Sequence, residues 1–97
     1  MLYMVNKSPL MFNNLESALR IAPADAPILL YEDGVYAAVK GAASEATIES
    51  ALERHPVYAL KPDIDARGLT ALVDGIETVD YDGFVALLEA HHVAPWL

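Results

Sequence analysis

The run Pro27-Ile28-Leu29-Leu30-Tyr31, stopped by Glu32-Asp33-Gly34, decides the fold class. It is apolar throughout instead of alternating with polar residues, the pattern of a strand covered on both faces by helices. Similar short runs lie on either side: Leu2 to Val5, ended by Asn6-Lys7-Ser8-Pro9, and Val57-Tyr58-Ala59-Leu60, after the break at His55-Pro56; Ile76 to Asp80 is a more polar candidate for a fourth strand. Helical spacing fills the intervals. Asn13 or Asn14 caps a helix carrying Phe12, Leu15, Leu19 and Ala22, which Pro23 ends. A short helix over Val35 to Val39 stops at Gly41. Ser44 starts another, with Ile48, Ala51 and Leu52 as its buried stripe and Glu45 and Glu49 near its positive end. Pro62 to Arg67 is a helical turn closed by Gly68. Asp82 caps a final helix to about His91, with Phe84, Val85 and Leu88 inward. Strand and helix thus alternate four times. With right-handed crossovers, this predicts one domain over residues 1–97: a small three-layer α/β/α sandwich around a mainly parallel sheet.

Composition narrows the function. The 97 residues are 55% hydrophobic and 21% charged, enough apolar material for one core. Six Lys and Arg against 14 Asp and Glu leave a formal net charge of −8. Direct nucleic-acid binding needs clustered cations, and anionic membranes repel such a chain, so neither partner is expected. There is no cysteine, hence no disulfide, thiolate metal site or cysteine nucleophile. Met1 to Lys7 lacks the basic start and long apolar stretch of a signal peptide. A cytoplasmic location is the expectation.

In parallel sheets, sites form beyond the C-terminal ends of the strands. Asn6-Lys7-Ser8, Glu32-Asp33-Gly34, Lys61 to Asp63 and Tyr81-Asp82 occupy that edge. Lys7 and Ser8 before a helix N-terminus suit an anion, although the glycines of a phosphate loop are missing. Glu32 and Asp33 are paired acids, but Asp33-Gly34 also reads as a turn, with Gly34 free to take a positive φ. These four residues are the ligand-binding candidates. His91 and His92, about 100° apart on a helix, cannot readily chelate one ion and instead suit the last carbonyls of the helix, as does His55. No metal or cofactor is expected. Trp96, in the tail Val93-Ala94-Pro95-Trp96-Leu97, either folds back on the core or serves an interface.

Four segments, in order, carry a resemblance. Met1-Leu2-Tyr3-Met4-Val5-Asn6-Lys7-Ser8-Pro9, Leu29-Leu30-Tyr31-Glu32-Asp33-Gly34-Val35-Tyr36-Ala37-Ala38, Val57-Tyr58-Ala59-Leu60 with Asp65-Ala66-Arg67-Gly68-Leu69, and Val79-Asp80-Tyr81-Asp82-Gly83-Phe84-Val85 together resemble the DsrH/TusB family. The resemblance implies a three-layer α/β fold. It also implies a heterohexamer with DsrE/TusD-like and DsrF/TusC-like subunits that relays persulfide sulfur, either towards tRNA wobble-uridine 2-thiolation or in dissimilatory sulfur oxidation. The main persulfide-carrying cysteine of that family complex belongs to the DsrE/TusD-like subunit. Many sulfur-oxidiser members also carry a cysteine in the first helix. Here that stretch is Leu15-Glu16-Ser17-Ala18-Leu19, with Ala18 at the cysteine position. Transfer needs a thiolate, so the expectation is a non-catalytic subunit without catalytic residues. An Ala18→Cys variant is expected to accept sulfur only if its side chain is reachable. The alternative is a stand-alone homodimeric module binding a small ligand or anion over Lys7, Ser8, Glu32 and Asp33.

Overall fold

The computed structural model describes residues 1–97. Five strands form one all-parallel sheet in the order β4-β3-β2-β1-β5: β1 (Leu2–Val5), β2 (Ile28–Leu30), β3 (Val57–Leu60), β4 (Glu77–Val79) and β5 (Val93–Trp96). The connecting helices are α1 (Asn14–Ile21), a 3₁₀ turn over Glu32–Ala38, α2 (Glu45–Leu52), α3 (Lys61–Ala66) and α4 (Tyr81–Ala90). Every residue of β1 and β2 is buried, as their unbroken apolar runs predict. No helix is long and apolar enough to cross a membrane.

Topology explains which helix covers which face. From β1 to β4 the chain steps across the sheet in one direction, so crossovers of one hand place α1, the 3₁₀ turn, α2 and α3 on the same side. The step from β4 back to β5 is reversed, and α4 therefore lands on the opposite side. The two hydrophobic clusters follow this division. Seventeen buried residues, among them Val5, Leu15, Ala18, Ile28, Val35, Ile48 and Ile64, form the core beneath the first group. Only Leu2, Met4 and Leu29 are buried beneath α4, where Phe84, Leu87 and Leu88 pack against them.

The fifth strand is absent from the sequence reading. Val93–Trp96 pairs parallel with β1, Leu2 beside Val93 and Val5 beside Trp96. Pro95 hides it, because proline argues against a strand except at a sheet edge, where β5 lies. Three other expectations change. The cap of α4 is Asp80, whose Oδ1 accepts from the Gly83 N–H at 2.8 Å, instead of Asp82. Val85 is 47% exposed and faces outward, with Leu87 taking the inward place. His55 does not serve the end of its helix: its buried ring lies with Nδ1 2.9 Å from the Ala26 carbonyl oxygen, tying the end of α2 to the approach to β2.

Candidate functional site

The parallel topology brings the ends of β1, β2, β3 and β4 to one edge, together with the segments expected there. What holds that edge is an ionic clasp centred on Arg67, just past the end of α3. Its Nε and Nη2 donate to Asp33 Oδ1 at 3.2 and 2.9 Å, and Nη1 donates to the Asp63 carbonyl at 3.1 Å. Nη1 also lies 3.7 Å from Asp63 Oδ1. Asp63 Oδ2 in turn accepts the Glu32 N–H at 2.6 Å. The guanidinium sits 5.9 Å from the centre of the Tyr36 ring, within cation–π range. The hydrogen bond from Asp33 raises the Arg67 pKa above its already high ordinary value.

The clasp fixes the turn after β2 in an unusual shape. Glu32 adopts φ +49°, a left-handed conformation that side chains seldom take. Asp63 binds the N–H of this residue, which offsets part of the strain. Gly34, in contrast, does not supply a positive φ. It is glycine because the chain passes against β1 with no room for a Cβ. Beside it, burial first and the Glu32 carboxylate second push the Tyr31 phenol above its ordinary pKa of 10.0.

The four ligand-binding candidates share the edge and are engaged in separate ways. Lys7 Nζ lies 5.2 Å from the centre of the Phe12 ring. Ser8 Oγ accepts from the Leu10 N–H at 3.2 Å. Asp33 is paired with Arg67, and Glu32 is held through its backbone. A cleft of about 180 Å³ opens between the Pro9–Phe12 segment and the first turns of α1 and α2, and one of about 290 Å³ lies beside β5. None of the four candidates lines either. In the sequence, Arg67 lies in the segment Asp65-Ala66-Arg67-Gly68-Leu69 with nothing to mark it as a centre. Its partners are 34 and 4 residues away, and only the folded chain reveals the more distant one.

Trp96 folds back. Its ring centre is 5.9 Å from that of Tyr3, tilted by 53°, and its carbonyl accepts from Asn14 Nδ2 at 3.2 Å. It stays partly exposed on the wall of the cleft beside β5. Ala18 has no exposed surface at all and belongs to the main core. The reachability on which sulfur acceptance by an Ala18→Cys variant depends is therefore not met: α1 turns this position onto the sheet.

Comparison with known proteins gives a consistent picture. A family model described as DsrH like protein matches residues 7–94. The chain is 37% identical over 93 residues to Protein TusB of Serratia proteamaculans (strain 568), covering 94% of each. It is 39% identical over 94 residues to Protein TusB of Photorhabdus laumondii, covering 95% of each. Among solved structures, the ychN protein from E. coli superposes with a TM-score of 0.82 over 97% of this chain and 96% of its own, at 22% identity. That likeness speaks to the fold.

Proposed function

The chain belongs to the DsrH/TusB family, and from that premise we propose that it is a non-catalytic subunit of a cytoplasmic sulfurtransferase complex that relays persulfide sulfur towards 2-thiolation of the tRNA wobble uridine. Its partners in this reading are DsrE/TusD-like and DsrF/TusC-like subunits, assembled with it as a heterohexamer. The observation that carries the proposal is the match to TusB proteins along nearly the whole chain, in a chain without any cysteine. A sulfur carrier needs a thiolate to attack and hold the persulfide. The sulfur must therefore travel on a partner, and this chain contributes binding surface. A net charge of −8 supports a reading in which another component contacts the RNA. The likeness to TusB-named relatives favours the tRNA pathway over sulfur oxidation.

The test is co-purification from the native host with native mass measurement, joined to nucleoside analysis of tRNA from a deletion strain. Two related subunits with the chain, and loss of 2-thiouridine on deletion, are the expected results. Recovery without such partners, or unchanged thiolation, overturns the proposal.

A further inference from the structure

Helix α4 is the sole helical cover of its sheet face, yet none of its ten residues is buried. Phe84, Leu87 and Leu88 pack on the sheet and remain half-covered. One flank of the helix beside this packed stripe is also apolar: Tyr81 is 60% exposed, and Val85, one turn later, is 47% exposed. An exposed apolar patch with a polar rim marks an interaction surface.

The rim has a single sign. Asp82 and Glu89 stand exposed on α4, and Glu77 stands exposed on β4, in register with Tyr58. Arg67 is the last basic residue of the chain, apart from histidines, while residues 68–97 include Asp74, Glu77, Asp80, Asp82 and Glu89. We propose that the exposed flank of α4 carrying Tyr81 and Val85, bordered by Asp82 and Glu89, docks a partner protein whose own apolar stripe is bordered by Lys and Arg. The existence of a complex rests on the sulfur-relay reading; the surface and the chemistry of its partner are what this adds. Charge selects the occupant. A second copy at this face would set Asp82 and Glu89 against their own counterparts, with a charge of −8 on each chain. Like charges across an interface reject a partner, and opposite ones steer it in.

The test co-purifies the full chain with its partner subunits from the native host, as wild type, Val85→Asp, Asp82→Lys and Glu49→Lys. Glu49 is exposed on α2, on the other side of the sheet. Val85→Asp is expected to lower partner recovery at least about tenfold with unchanged circular dichroism. Asp82→Lys lowers it less, Glu49→Lys retains it, and higher salt weakens the wild-type assembly. If Val85→Asp misfolds, Val85→Ser with Asp82→Lys makes the same comparison. Wild-type recovery from the α4 variants overturns this docking face and leaves the sulfur-relay reading standing. Equal loss from Glu49→Lys overturns it too, as an effect of charge anywhere on the surface. A wild-type chain that recovers no partner overturns both ideas. A homodimer broken by Val85→Asp makes the occupant a second copy and overturns the basic partner.

Discussion

Gly34 rests on the backbone of Val5: a Cβ at Gly34 would come within 2.1 Å of the Val5 carbonyl oxygen and 2.9 Å of its carbon. The same oxygen accepts the Tyr31 N–H at 3.1 Å, so it cannot retreat without losing that bond. Gly34→Ala must push the 3₁₀ turn away from β1. The expected cost is about 2–3 kcal/mol, seen as a lower urea midpoint at an unchanged slope. A wild-type midpoint would mean that the turn yields freely.

Removal of Arg67 releases Asp33 and Asp63 together. Asp33 is exposed, so its pair with Arg67 is a modest contributor, while the bond to the Asp63 carbonyl and the packing on Tyr36 are better shielded. Arg67→Ala is expected to destabilise by about 1–2 kcal/mol. Part of this difference should vanish in high salt, which screens the exposed pair. Urea melts of both proteins at low and high ionic strength measure that part; a difference that grows with salt would contradict the assignment.

Tyr31 sets an alkaline limit. Its folded pKa is raised above 10.0 by burial and by Glu32, so the native state holds the phenolic proton more tightly than the unfolded chain does. Below pH 10 both states are protonated and the group contributes no slope. Above it the unfolded state loses the proton first, and stability falls as pH rises through the folded pKa. Tyr31→Phe should lessen that fall. Parallel stability curves for the two proteins beyond pH 10 would show that the phenol is not responsible.

Ala18→Cys is expected to yield a silent thiol. The site is wholly buried in the main core, where apolar surroundings raise a thiol pKa and suppress attack. A thiol reagent should modify the folded variant only at its rate of opening, and a persulfide donor should add no sulfur by mass. Rapid labelling under native conditions would show that α1 opens readily.

His55→Ala removes the buried link to the Ala26 carbonyl. An orphaned acceptor and a small void should together cost about 2 kcal/mol. A thermal melt checks this, and His55→Asn or His55→Gln should recover part of the loss if the hydrogen bond is its source.

The sequence by itself determined the kind of sheet. Ile28-Leu29-Leu30 and Leu2 to Val5 contain no polar residue, and such runs are stable only between two helical layers, which parallel crossovers provide. It likewise determined that this chain offers no thiolate on which a persulfide could be carried. Periodicity records how often a side chain is turned inward, but not which neighbour it meets there. The pairing of Arg67 with Asp33 spans 34 residues, and no local pattern connects them. Val93–Trp96 is a strand because β1 pairs with β2 along one edge and offers its other edge to the returning chain, a juxtaposition that only the fold brings about. Val85 fitted the inward stripe as well as Leu87 did. The reversed step from β4 to β5 fixed where α4 lies, and its packing on that face left Val85 outside.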